Sequence, residues 1–314
     1  MKILLIRLSA LGDLVYVSAV LEGLQQHQVH LLLYQAFASL YQEDPRVHRL
    51  WTLPRGATRR ELRSLAASLQ AEGFDLAADL HRKPLTHWLL RHSGARRRIH
   101  IHKASLARRL HLWFRVPLRE VPVYRRYLAP FQRLGLIPEP GPLPRLPRRA
   151  RPPALPLPER YVALAPEAVY PTREWPYFGE LALHLERRGV PVVLLGRQRR
   201  AFPAGQNLTG RTTLSQMIAV LQHAAVVVSN DSGPAHVAAA SGVPTVVLFG
   251  PTVPAFGFRP QGPAPVRVLE NPRLRCRPCS LHGERPCRFF SRPCLRSLSP
   301  EQVLAATLEF WEAP

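Results

Sequence analysis

The sequence predicts an α/β protein built from two doubly wound parallel sheets, and three observations carry that expectation. The chain has 314 residues, about twice a typical domain. Short apolar runs alternate with amphipathic stretches in both halves, the pattern of parallel βαβ units. Between the halves, residues 138–158 are dense in proline and arginine, which sustains neither a helix nor a central strand. The expected division is a first domain at 1–140, an extended linker at 141–159 and a second domain at 160–314.

In the first half, strands are expected at Lys2–Leu8, Val29–Tyr34, Arg49–Leu53, Asp75–Leu80 and Arg98–His102. Helices are expected between them at Leu14–Gln25, Arg59–Glu72 and Leu85–Arg91. In the second half, strands are expected at Tyr161–Ala165, Val190–Leu195, Val226–Ser229 and Pro244–Phe249. Tyr177–Arg188, Leu214–Gln222 and Ala235–Ala240 are the helices among them. A last helix, Pro300–Trp311, opens with Ser299 as N-cap, Pro300 at the first position and Glu301 in the first turn. That helix is expected to pack back on the first domain. Two such sheets leave a cleft, and ligands bind outside the carboxyl ends of the strands.

Composition narrows the function less than it narrows the fold. No run of about eighteen or more apolar residues occurs, so no membrane span is expected. The opening Met1–Leu8 run is interrupted by Arg7 and followed by Gly12-Asp13, which reads as a first buried strand rather than a signal peptide. The expected location is the cytoplasm, peripheral to the inner face of its membrane. The formal net charge is +22, and arginine carries it, because Lys2, Lys83 and Lys103 are the only lysines. Such a field favours polyanions, whether nucleic acid, anionic lipid or phosphorylated substrates. A GC-rich coding bias gives the same composition, so charge alone names no partner.

Two turns carry the chemistry. Ser229-Asn230-Asp231-Ser232-Gly233-Pro234-Ala235-His236 lies between two apolar strands. Ser232 is expected to cap a new helix, Gly233 permits close approach of a ligand, and Pro234 suits the first helical turn. The free N–H groups of that turn would seat a pyrophosphate, with His236 near the same ligand. An ordinary capped turn explains Ser, Gly and Pro but gives Asp231 and His236 no role. The second turn, Arg7-Leu8-Ser9-Ala10-Leu11-Gly12-Asp13, closes the first strand. Its small residues allow a sharp turn into a helix, and Asp13 is placed either to take a proton from an acceptor hydroxyl or simply to cap the helix.

These residues resemble a known family. The Arg7–Asp13 segment, Arg173-Glu174-Trp175-Pro176, and Asn230-Asp231-Ser232-Gly233-Pro234-Ala235-His236 through Leu248-Phe249-Gly250-Pro251-Thr252 are together similar to glycosyltransferase family 9, the heptosyltransferases. The resemblance implies a GT-B fold and an inverting transfer of a sugar, usually from ADP-heptose, to a lipopolysaccharide-core acceptor. It implies no cofactor beyond the nucleotide sugar. Asp13 would be the general base, and Asp231, Ser232, Gly233 and His236 would hold the donor. Arg173 stands where the family often has lysine, and would neutralise the leaving diphosphate. Ser9 and Gly12 would belong to the acceptor side. Arg82 and Lys83 would meet phosphates of a lipid-linked acceptor.

One departure matters. After the strand Val190–Leu195 the family commonly has an acidic residue for the ribose, whereas here Gly196-Arg197-Gln198-Arg199-Arg200 offers no carboxylate. Gln198 is left as the ribose contact. The run Arg96–Arg98 is either a solvated face or an anion site. The basic, partly apolar Lys103–Val116 is either a membrane-surface element or a lid over the acceptor.

All four cysteines fall in one loop, Cys276, Cys279, Cys287 and Cys294, spaced C-x2-C-x7-C-x6-C. Structural zinc, disulfides and free thiols are all compatible with that spacing, and the loop is assigned structure rather than catalysis. The rival functions are a sugar-nucleotide epimerase of similar fold, a non-catalytic sugar-nucleotide binder and a nucleic-acid-binding protein. The last explains the charge but not Asp231 and His236, so no nucleic-acid partner is expected.

Overall fold

The computed structural model describes residues 1–103, 105–152 and 155–313. Positions 104, 153, 154 and 314, which fall in the expected basic stretch, the linker and the second domain, lie outside the described residues. The chain forms two compact units. One comprises Met1–Lys103 and Val123–Arg145, the other Ala104–Pro122 and Leu146–Pro314. The expected boundaries at 140 and 160 therefore shift, and residues 104–122 go with the second unit.

The first unit runs β1 (Lys2–Ile6), α1 (Leu11–Gly23), β2 (Gln28–Tyr34), β3 (Arg49–Leu53), α2 (Arg59–Ala71), β4 (Leu76–Asp79), α3 (Pro84–His92) and β5 (Arg97–His100). After α4 (Ser105–Phe114), which belongs with the second unit, α5 (Val123–Gln132) completes the first. The strands are parallel in the order β3-β2-β1-β4-β5, with Ile3 opposite both Val29 and Leu76. Ile3 to Ile6 are fully buried, as a parallel strand covered on both faces requires. Helix α2 starts where Thr58 and Glu61 close a capping box. The winding reverses between β1 and β4, which makes the carboxyl ends of those strands the place for a ligand.

Helix α5 escaped the sequence pattern because Pro122 precedes it and Pro130 lies within it. Yet Val123, Tyr124, Tyr127, Leu128 and Phe131 form a buried stripe at helical spacing. Tyr127 on that stripe points at the carboxyl end of β1, reaching Asp13.

The second unit runs β6 (Val162–Ala165), α6 (Phe178–Glu186), β7 (Val192–Leu194), β8 (Gln206–Asn207), α7 (Leu214–His223), β9 (Val226–Asn230), α8 (Gly233–Ala240), β10 (Thr245–Leu248), β11 (Val266–Leu269), α9 (Pro293–Arg296) and α10 (Pro300–Trp311). Its strands are parallel in the order β11-β10-β9-β6-β7-β8, and the winding reverses between β6 and β9. The core gathers Leu164, Trp175, Phe178, Leu181, Val228 and Leu248.

The final helix does not have to find the first domain to bury its apolar face. Val303, Leu304 and Ala306 join the second unit's own core, where α10 packs on α6 and on β9. Burying the Val303 and Leu304 side chains stabilises by about 1.5–3 kcal/mol each. The extended linker has its backbone tied to helices. Leu146 is buried and its N–H donates to the Ala240 carbonyl at 2.9 Å, while the Arg149 N–H donates to Gln222 Oε1 at 2.9 Å. No helix among the described residues is long and apolar enough to cross a membrane.

Candidate active site

In the first unit the site is built around the β1–α1 turn. Helix α1 begins at Leu11, and its N-cap, Ala10, makes no side-chain cap bond. Asp13 stands in the first turn of that helix, beyond the cap position. Its carboxylate is instead taken by two neighbours. Arg7, nearly buried at the end of β1, pairs with Oδ2 at 2.5 Å and also donates to the Leu80 carbonyl at 2.7 Å. Tyr127 donates its hydroxyl to Oδ1 at 3.0 Å. The Asp13 side chain still keeps 32% of its exposure, so its oxygens are fixed in direction yet reachable by a ligand.

The end of β4 supplies the cationic surroundings. Asp79, buried, accepts the backbone N–H groups of His81 and Arg82 at 2.8 and 2.7 Å, and the Thr86 hydroxyl at 3.0 Å. These bonds hold a turn in which Arg82 has φ +53°, and they leave Arg82 and Lys83 exposed. Burial, aided by the Arg7 charge, pushes the His81 imidazole down to about 3, so it is neutral at any working pH. Burial and the charges of Lys83 and Arg7 lower the Lys103 ammonium, whose Nζ donates to the Arg82 carbonyl at 2.9 Å. Cations this close destabilise one another, and an anion bound among them relieves that repulsion. Ser9 and Gly12 lie half-buried in the β1–α1 turn itself.

In the second unit the centre is Asp231, just past β9. Its side chain is 2% exposed, and Oδ2 is held by the Thr252 hydroxyl at 2.7 Å and by an ion pair with Arg173. Oδ1 is buried and accepts no hydrogen bond among the described residues. Asn230 locks the neighbouring segment, accepting from the Trp175 N–H at 2.9 Å and donating to the Pro166 carbonyl at 2.8 Å. Ser232 occupies the N-cap position of α8, as expected, but makes no side-chain cap bond. Its hydroxyl lies 3.2 Å from that of Ser229. No side chain therefore caps the first turn opened by Gly233 and Pro234. His236 is buried on that same helix.

The structure brings Arg173, Asp231 and Thr252 into one cluster and leaves Gln198 in a separate exposed loop after β7. The carboxylate that this loop lacks in sequence arrives from the next strand. Glu167, just beyond β6, accepts the N–H groups of Arg197 and Gln198 at 2.5 and 3.0 Å. A carboxylate two residues past a strand that neighbours the loop was the available signal. Tyr127 gave none, because the helix that delivers it is masked by a proline before it and another inside it.

The cysteine loop works as a brace. Arg277 donates to the Gly250 carbonyl and, at 2.8 Å, to that of Thr252, fixing the residue that holds Asp231. Arg292 donates to the Pro171 and Glu174 carbonyls at 2.6 and 3.1 Å, on either side of Arg173. Gly283, at φ +81°, lies flat against Arg173, where a Cβ would come within 2.6 Å of its side chain. The zinc closure of Cys276, Cys279, Cys287 and Cys294 is not assembled. All four are free thiols, and no group of three or more His, Cys, Asp or Glu among the described residues is placed to hold a metal. Burial and the nearby Cys276 and Cys287 raise Cys279, and burial pushes Cys294 up to about 11, so both stay protonated.

The family model for glycosyltransferase family 9 (heptosyltransferase) matches residues 62–282. The lipopolysaccharide heptosyltransferase 2 of Salmonella typhimurium is 36% identical over 103 residues, 27% of this chain. That match spans 29% of the relative's own length. The lipopolysaccharide heptosyltransferase 3 of Escherichia coli K12 is 25% identical over 288 residues, 79% of this chain and 82% of that protein. Among solved structures, the ADP-heptose lipopolysaccharide heptosyltransferase II of E. coli superposes with a TM-score of 0.76 at 23% identity, covering 100% of both chains. The fold is the GT-B arrangement of two parallel α/β sheets.

Proposed function

We infer the reaction from one premise: the chain belongs to glycosyltransferase family 9, the heptosyltransferases. It is an inverting glycosyltransferase that moves a heptose or related sugar from ADP to a phosphorylated, lipid-linked glycan of the lipopolysaccharide-core class. The supporting observation is that one chain carries a reachable, hydrogen-bonded carboxylate at Asp13 and an arginine-backed helix start at Arg173 and Ser232. The work is done at the inner face of the cytoplasmic membrane, where such an acceptor is held.

In this reading Asp13 removes the acceptor proton as the acceptor oxygen attacks the anomeric carbon, and the nucleoside diphosphate leaves from the opposite face. Arg7 and Tyr127 aim the carboxylate. Charge developing on the diphosphate is met by Arg173 and by the first turn of α8, where fixed donors help the transition state more than the ground state. No divalent ion is assigned a part. Asp231 acts by holding Arg173, and its unused oxygen is available to a sugar hydroxyl, with His236 beside the same ligand. Ser232 and Gly233 offer backbone N–H groups to the diphosphate. Glu167, together with Gln198, is assigned to the nucleoside ribose. Arg82 and Lys83, with Ser9 and Gly12, receive the acceptor and its phosphates.

A thermal-shift panel of ADP, UDP, GDP, dTDP and CMP tests the donor assignment. Ligand at about 100 times its Kd stabilises the folded state by roughly 2.7 kcal/mol. ADP alone should raise the melting temperature, and in the presence of a chelator it should raise it equally. A shift with a different diphosphate instead overturns the ADP assignment.

A further inference from the structure

We propose that α4 is a membrane-docking element, whose apolar stripe and arginines seat the second unit on an anionic lipid surface. Leu106, Leu110, Trp113 and Phe114 fall at i, i+4, i+7 and i+8, one face of the helix. Leu106, Trp113 and Phe114 are 69%, 57% and 70% exposed, and Val116 just beyond them is exposed as well. Scattered apolar side chains on a surface need no account, but a contiguous stripe ending in a tryptophan and a phenylalanine does. No residue of the helix is buried.

The helix is nonetheless attached, and by its other side. Arg108 stacks 4.6 Å from the Phe258 ring, and His111 packs edge-on against Phe256. Arg115 donates to the carbonyls of Pro278 and Arg275 at 3.0 and 3.1 Å. Positions 108, 111 and 115 hold the helix down, which turns the apolar stripe outward instead of into the core.

Charge selects the occupant. Between positions 105 and 119, in the segment that goes with the second unit, there are four arginines and no acidic residue, and Arg109 on the helix and Arg119 just after it are exposed. A second copy of a chain with net charge +22 would be repelled. A nucleic acid would use the arginines but offers no apolar layer for leucine and phenylalanine. An anionic bilayer uses both, taking the aromatic and aliphatic side chains at the acyl boundary and the guanidinium groups among the headgroups. This inference rests on the proposed function only in making sense of a lipid-linked acceptor, and lipid binding is read without any transfer.

Full-length protein would be sedimented with vesicles of phosphatidylglycerol and phosphatidylcholine, and separately with phosphatidylcholine alone. Binding is expected with the anionic vesicles only, weakening as salt rises. Leu106→Gln/Trp113→Gln/Phe114→Gln and Arg109→Gln/Arg119→Gln should each reduce it by about tenfold or more, since each surface cation contributes about fivefold. Trp113→Phe should keep binding while losing the blue shift of tryptophan emission on vesicle addition. Equal binding by wild type and the triple variant overturns the proposal, as does binding to neither vesicle. Self-association abolished by the triple variant, without lipid binding, overturns it in favour of a second copy. Transfer to a delipidated acceptor in every variant keeps the enzymatic reading standing whichever way the vesicles answer.

Discussion

Two carboxylates sit just past strands where their sheets change winding direction, and each is gripped by an arginine. Asp13 is one-third exposed, with both oxygens engaged by Arg7 and Tyr127. Asp231 is all but sealed, held through one oxygen by Arg173 and Thr252. In the proposed reaction the same ion pair has opposite uses in the two settings. A general base must exchange its proton with a substrate, and therefore must be reachable. A sealed carboxylate cannot do that, but in low dielectric it fixes its cation firmly, so that the guanidinium is already in place when charge develops.

Breaking the sealed pair should have the largest effect on stability. Asp231→Ala leaves the largely buried Arg173 charge uncompensated, and removing one partner of such a pair costs about 3 kcal/mol or more. Urea unfolding measures it, and Asp231→Ala/Arg173→Met should recover much of the loss. A cost under about 1 kcal/mol would mean that Arg173 is solvated and that the contrast between the two sites is false. Asp13→Asn, by comparison, keeps an oxygen to accept from the buried Arg7, which also retains the Leu80 carbonyl, and should cost less, about 1–2 kcal/mol.

The pH dependence sharpens the comparison from the first unit's core. Burial holds His30 down to about 4, and its Nδ1 accepts the Trp51 indole N–H at 3.1 Å, a role that only the neutral ring fills. The unfolded imidazole titrates near its usual value of about 6.5. Stability is therefore intact above that pH and declines as pH falls toward about 4, with about 2 kcal/mol lost by pH 5. His30→Gln should remove about half of the decline in urea midpoints compared at pH 7 and pH 5, the rest resting on His81, which titrates lower still. An unchanged slope would place the acid sensitivity elsewhere. The smallest effect should come from Tyr127→Phe, which removes one hydrogen bond to Asp13. We expect kcat/KM to fall by roughly fivefold to tenfold, about 1 kcal/mol, at unchanged nucleotide affinity.

The strands were legible because parallel sheets bury both faces, and runs such as Ile3–Ile6 and Val226–Val228 leave little room for another reading. The strand-end turns and the family resemblance singled out Asp13, Arg173 and Asp231, and the structure joins these residues in two ion pairs, Arg7–Asp13 and Arg173–Asp231. Three features were hidden for physical reasons. Helix α5 follows Pro122 and contains Pro130, which break the pattern, and with it went Tyr127. Glu167 belongs to the Gly196–Gln198 loop only across neighbouring strands, a relation that sequence order does not display. Residues 104–122 interrupt the first unit, and only the anchoring of Arg108, His111 and Arg115 assigns them to the second.

The most direct test follows ADP released from ADP-heptose, with and without a delipidated lipopolysaccharide-core acceptor, in wild type and Asp13→Asn. Wild type should release ADP only when acceptor is present. Asp13→Asn should slow release by about a thousandfold, within the range for losing a general base, while its ADP thermal shift stays intact. Near wild-type turnover by Asp13→Asn would contradict the account at its centre, because the reachable carboxylate would then not be the base.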